Sequence, residues 1–226
     1  MALQRLGYRL DLRWPRFGDR LPETLDGHAG AMIFGGPQSA NDEDDFIRRE
    51  VDWIAVPLRE QRPFLGICLG AQMMARQFGA RVDRHPLGRC EVGYYPIRPT
   101  MAGRKVCPAW PERVYQWHRE GFDCPTTCEL LAEGSADFPV QAIRYHNAYG
   151  VQFHPDVTHA MMHRWLGNAD VMLDLPGAQR PAAHFRHRAR HDDAESRWLD
   201  DFLGRWLGSE QPAANEQRAS YAVAAE

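Results

Sequence analysis

Two short stretches of this sequence could perform covalent chemistry together. Gly66-Ile67-Cys68-Leu69-Gly70 sets a cysteine among small residues, between an apolar run and a stretch of helical spacing. It is the cysteine counterpart of the G-x-S-x-G nucleophile elbow, a sharp strand-to-helix turn that needs small neighbours and thrusts its central side chain outward. A thiolate there would sit at a helix N-terminus, whose partial positive charge favours it. Taken alone, the same five residues also fit a buried structural cysteine behind a core strand. The second stretch is Gly150-Val151-Gln152-Phe153-His154-Pro155-Asp156, which reads as a strand delivering His154, with a carboxylate two residues later. Such a histidine can act as base toward Cys68 while Asp156 fixes its tautomer and orientation. A lone histidine at a strand end is more often structural. The two stretches gain specificity together, because they supply a nucleophile, a base and an orienting acid.

These residues need a scaffold, and the surrounding pattern predicts one. Ala31-Met32-Ile33-Phe34 is an apolar run stopped by Gly35-Gly36-Pro37, and Pro63-Phe64-Leu65-Gly66-Ile67 is a second; both read as buried strands ending in tight loops. Between them a helix is expected, capped by Asn41 or Asp42, with Ile47, Val51, Ile54 and Leu58 on one face. Leu69 through Phe78 has helical spacing closed by Gly79. Residues 94–98, 114–117, 140–145 and 149–153 read as further strands. Residues 161–166 look helical, and Trp198, Leu199, Phe202, Leu203, Trp206 and Leu207 form the apolar stripe of a last helix ended by Gly208. The start is unusual: residues 1–6 read as the end of a helix closed by Gly7, followed at once by a strand over 8–12. Two readings stay open there, a natural short start and a fold lacking its first strand. Residues 209–226 have no apolar periodicity and read as a disordered tail behind a single domain of residues 1–208.

Composition narrows the function classes. A chain of 226 residues with 44% hydrophobic and 25% charged residues suits one sizeable α/β domain. A formal net charge of −3 gives no general attraction to phosphate backbones or anionic lipid, so neither nucleic acid nor a membrane is an expected partner. No apolar run approaches the roughly 20 residues that cross a bilayer. Five cysteines, an odd number, without a signal-peptide pattern point to a reducing cytoplasm. His184, His187 and His191 raise metal binding, but the flanking Arg186, Arg188 and Arg190 would repel a cation. Cys124 and Cys128 have no second pair, so no metal is expected.

Pro63-Phe64-Leu65-Gly66-Ile67-Cys68-Leu69-Gly70-Ala71-Gln72 and Gly150-Val151-Gln152-Phe153-His154-Pro155 resemble the two signature segments of class I glutamine amidotransferases, in the expected order. Gly35-Gly36-Pro37 resembles the family's oxyanion loop, and with Trp117-His118 the chain is most similar to stand-alone domains like the amidotransferase portion of GMP synthase. The resemblance covers the chain from about Leu10 to about Leu207. It implies a flavodoxin-like α/β fold, an open, mostly parallel twisted sheet flanked by helices.

The resemblance also implies a mechanism without a cofactor. Cys68 attacks the side-chain amide of L-glutamine to form a γ-glutamyl thioester, His154 passes the proton to departing ammonia, and water releases glutamate. Backbone N–H groups of Leu69 and Gly36 would hold the oxyanion, and Gln72 would help to hold the substrate. One departure stands out: the family's usual third member is glutamate, and Asp156 is shorter by one methylene. No phosphate-cradling loop is present for activating an acceptor, so a synthase receiving ammonia would be a separate chain. Two other readings are a hydrolase of γ-glutamyl compounds and a catalytically silent regulatory module of the same fold. His118 reads as a loop residue near the mouth of the site.

Overall fold

The computed structural model describes residues 2–168 and 171–208 and the backbone of residues 220–224. The chain opens with helix α1 (Ala2–Arg5) and strand β1 (Arg9–Arg13), then β2 (His28–Ile33), α2 (Asp45–Trp53) and α3 (Ala55–Arg59). The elbow follows as β3 (Phe64–Ile67) and α4 (Leu69–Gln77). The middle of the chain holds β4 (Val82–Arg84), β5 (Glu91–Pro96), β6 (Arg98–Pro99), α5 (Met101–Val106), β7 (Arg113–His118), β8 (Glu120–Phe122) and β9 (Glu129–Glu133). Then come β10 (Val140–Tyr145), β11 (Ala148–Val151), α6 (His159–Gly167), α7 (Pro181–Gly208) and β12 (Ser220–Ala224).

Eight strands make one open sheet in the order β1-β12-β2-β3-β11-β10-β9-β6. From β1 to β11 neighbours run parallel, and from β11 to β6 they alternate antiparallel. The open sheet is thus parallel over most of its neighbours and mixed toward β6, with the parallel run carrying both signature segments. Alternation along the strands sends side chains to both faces. Met32, Leu65, Ile67 and Val151 pack against Trp198, Phe202, Leu203 and Trp206 of α7. Ala31, Ile33 and Phe64 pack against Ile47 and Val51 of α2 and Met73 and Met74 of α4 on the other face. Layers of helix on both faces of a sheet bury both at once.

Several element boundaries differ from expectation for identifiable reasons. The helix after Pro37 starts at Asp45 with Asp44 as its N-cap, and it is interrupted before α3. Asn41 instead donates its amide to the Val82 carbonyl, and Asp42 accepts from the Ser39 N–H. Pro57 supplies no N–H to carbonyl 53 and its ring crowds that carbonyl, which divides the helix there. By contrast α4 ends as its sequence suggests. Gly79 is left-handed at φ 78°, and the N–H groups of Gly79 and Ala80 return to the carbonyls of Arg76 and Ala75, the Schellman closure. The last helix reaches back to Pro181, a residue suited to a first helical position, so the histidine-rich stretch is its N-terminal half.

The reading of 209–226 as a disordered tail does not hold for residues 220–224. These form β12, which lies in parallel between β1 and β2, pairing Leu12 with Val223 and Ala31 with Ala222. That segment takes an interior position in the sheet. Residues 209–219 and 225–226 lie outside the described residues.

Candidate active site

β3 and β11 are adjacent and parallel, with Gly66 opposite Gly150 and Ile67 opposite Val151. Both signature segments therefore leave the sheet side by side at its carboxyl edge, where open α/β sheets place their ligands. The Cys68 N–H still donates to Val151 O at 2.8 Å, and the His154 N–H donates to Tyr115 O at 2.8 Å. Two backbone bonds thus fix the nucleophile and the histidine to their neighbours before any side-chain contact forms.

Cys68 has φ 51° and ψ −105°. A positive φ at a residue with a side chain is a strained conformation, retained when the surroundings over-determine it. The surroundings here are tight. A Cβ at Gly66 would collide with the Gly70 carbonyl, and one at Gly70 would collide with the Ile33 carbonyl. The small residues of the elbow are thus required by close approach of β3, α4 and β2. Cys68 caps the start of α4, whose first N–H groups include that of Leu69 and have no partner within the helix.

Cys68 is 4% exposed and His154 5%. The loop after β2 presses on both: a Cβ at Gly35 would lie 2.6 Å from His154 Cε1 and 3.2 Å from Cys68 Cβ. Burial alone disfavours a charged imidazole. The charges of Cys68 and of the Asp156 carboxylate outweigh burial and raise His154 to about 10. Asp156 Oδ1 stands 3.4 Å from His154 Nδ1, beyond a well-formed hydrogen bond, and neither atom has another hydrogen-bond partner among the described residues.

The structure brings Cys68, His154, Asp156, Leu69 and the Gly35-Gly36 loop together. Gln72 is buried, and its amide nitrogen donates to Glu120 O at 2.9 Å and to Gln152 Oε1 at 3.3 Å. Gln152 in turn directs its own amide nitrogen to Cys68 Sγ at 3.7 Å. Gln72 therefore orients Gln152 beside the sulfur, a role that its position one turn after Cys68 does not announce. Trp165 of α6 lies edge-to-face on His154, with ring centroids 4.9 Å apart. The sequence assigns neither Gln152 nor Trp165 a place beside the nucleophile and the histidine, though Trp165 is one of several tryptophans that could suggest an aromatic surface.

His118 does not face the mouth of the site. It closes β7 inside a buried network, with Nε2 3.3 Å from Glu91 Oε2 and Nδ1 2.9 Å from Glu120 O. Gln141 and Ser135 donate to the same Glu91 carboxylate. The histidines of α7 are also internal fittings. His184 takes the Tyr115 hydroxyl at 3.1 Å on one ring nitrogen and faces Gln179 O at 3.0 Å with the other, and burial lowers its pKa. His187 meets the Gln179 side chain. Among the described residues no group of histidine, cysteine and carboxylate side chains could hold a metal. Cys90, Cys107, Cys124 and Cys128 are free thiols whose pKa burial raises. No helix among the described residues is long and apolar enough to cross a membrane.

Comparison with known proteins agrees with this geometry. The family described as "Glutamine amidotransferase class-I" matches residues 1–169. A glutamine amidotransferase-like protein of Salmonella typhimurium, YfeJ, is 33% identical over 164 residues, covering 67% of this chain and 66% of that protein. One subunit of the glutamine-hydrolysing GMP synthase of Ignicoccus hospitalis is 31% identical, covering 70% of this chain and 81% of its own length. The GMP synthase of Porphyromonas gingivalis is 32% identical, and only 31% of its length is matched. Among solved structures, a glutamine amidotransferase of Thermotoga maritima superimposes with a TM-score of 0.79 at 28% identity, covering 91% of this chain and 89% of that one. Another, from Methylobacillus flagellatus, shares the fold with a TM-score of 0.85 at 21% identity, covering 96% and 90%. With a family match over residues 1–169, and the elbow, histidine segment and sheet order in place, this chain belongs to the class-I glutamine amidotransferases.

Proposed function

We propose that this chain hydrolyses the side-chain amide of glutamine to glutamate and ammonia through a cysteinyl thioester. The observation that carries the reading is the pairing of the buried Cys68 and His154, both set against the Gly35 backbone, at the adjoining ends of β3 and β11. In this reading the thiolate of Cys68 attacks the amide carbon. The oxyanion is met by the Leu69 N–H at the start of α4 and by the Gly36 N–H in the adjoining loop. His154, held protonated at neutral pH, gives its proton to the departing nitrogen, and water then attacks the thioester with His154 as base. Asp156 orients the imidazole, and Gln72 acts through Gln152, whose amide faces the sulfur. The likeness to one subunit of a GMP synthase supports delivery of ammonia to a separate synthase chain.

The test is glutamate release from glutamine by the purified chain beside Cys68→Ala and His154→Ala. The expected result is release by the native protein and a loss of about 10³-fold or more in each variant. Release that survives Cys68→Ala would exclude this mechanism. Cleavage of γ-glutamyl peptides with none of glutamine would assign the site to another γ-glutamyl substrate. No turnover of either, with or without a synthase partner, would leave a silent module.

A further inference from the structure

The imidazole of His154 is enclosed from two sides. The Gly35 backbone lies against its Cε1 edge, and the indole of Trp165 stands edge-to-face on the ring at 4.9 Å. Trp165 is itself backed. Trp117 packs on it at 5.5 Å and Tyr115 at 6.2 Å, around Met162, which is fully buried. Its helix is also tightly tethered to the histidine: the Val157 N–H returns to His154 O, and Thr158 caps α6 through the Met161 N–H at 3.2 Å. A side chain held by packing and by so short a connection has little freedom to swing away.

We propose that Trp165 determines which amines this site can release, restricting the leaving group to ammonia. This rests on the hydrolytic reading above, in which the S–C bond forms at Cys68, the C–N bond breaks, and the nitrogen leaves with the proton of His154. The leaving nitrogen must stand beside His154, and any substituent on it must occupy the space next to that ring. From glutamine the nitrogen departs as ammonia, with no carbon to accommodate. From a γ-glutamyl alkylamide the same bonds form and break, but the amine carries an alkyl group toward the indole. The backing of Trp165 makes that encounter costly. Trp165 is thereby a specificity-determining residue for the leaving-group side.

The experiment compares native protein, Trp165→Phe and Trp165→Leu in two measurements. The first is kcat/KM for glutamine and for γ-glutamyl ethylamide. Native protein is expected to favour glutamine, and the preference should narrow by about tenfold or more in Trp165→Leu, with Trp165→Phe between, the scale set by one or two methylenes in a fitted pocket. The second is alkylation of Cys68 by iodoacetamide and by N-benzyl iodoacetamide, read on the Cys68 peptide by mass spectrometry. The bulky reagent should gain on the small one in the same order. A variant that merely loosens the fold would lose glutamine turnover without changing these ratios in steps with side-chain size. Unchanged ratios in both folded variants overturn the assignment. A shifted alkylation ratio without hydrolysis of either amide by any form would leave the enclosure standing and sink the hydrolytic reading.

Discussion

The contact between His154 and Asp156 is where this site is weakest, and it can be tested on its own. In the proposed mechanism the imidazole must carry a proton to release the amine, so activity should fall as pH rises through the His154 pKa near 10. Asp156 is one of the charges that raise this value. In Asp156→Asn the alkaline limb of kcat/KM for glutamine is expected to move to lower pH, with a loss of about tenfold at neutral pH. Asp156→Glu should recover the limb; no movement in either variant would mean that the carboxylate does not act on His154. A second carboxylate behaves differently. Glu195 is buried on α7, both oxygens facing the Tyr115 N–H at 3.1 and 3.2 Å, and burial raises its pKa well above 4.5. A raised folded pKa favours the fold fully below about pH 4.5 and progressively less as pH climbs toward the folded value. Glu195→Gln should therefore gain stability relative to the native chain at pH 8 compared with pH 4, on the order of 1–2 kcal/mol, measurable by denaturation at both pH values. Cys68, His154 and Asp156 were legible in the sequence because each belongs to a short local segment. The placement of Gln152, Trp165 and Glu195 was not, because it arises from contacts between segments distant in the chain.

At the scale of elements, the elbow is the constraint that everything else respects. An alanine at Gly66 must push aside the Gly70 carbonyl, and an alanine at Gly70 the Ile33 carbonyl. Each substitution is expected to cost about 1–3 kcal/mol or more in denaturant unfolding and to slow alkylation of Cys68, since the strained turn would relax. Full stability with unaltered Cys68 reactivity would show that α4 can shift outward at no cost. The parallel strands β2, β3 and β11 were readable because they are continuous apolar runs bounded by turn residues. The strands β4 and β8 were not, being three residues each and, among the described residues, paired only with one another. The strand β9 is antiparallel to β10 with irregular register, and its sequence carries too little alternation to declare itself. The helix preceding β3 was read as one piece because the apolar face of Ile47, Val51, Ile54 and Leu58 continues across the break that Pro57 makes.

The main sheet separates two hydrophobic cores, with a third cluster packed around Tyr115 and Met162, and the sheet takes in a strand from the far end of the chain. Strand β1 has β12 as its sole neighbour in the sheet among the described residues. Deleting residues 220–224 should strip β1 from the sheet and bare the edge of β2, an unpaired template for aggregation. The expected signs are a lower melting temperature and faster hydrogen exchange in β1 and β2; unchanged exchange in β1 would contradict the pairing. The tail was misread because a five-residue strand without alternation resembles a linker until its neighbours are known. Direction matters as well as position. Since β12 runs the same way as β2, with Ala224 level with Ile33, it points toward the rim that carries the Gly35-Gly36 loop. A purification tag or fluorescent protein joined after Ala224 would be launched across the entrance to Cys68, whereas one attached ahead of α1 would depart from the opposite rim; assays on C-terminally tagged protein should understate its turnover.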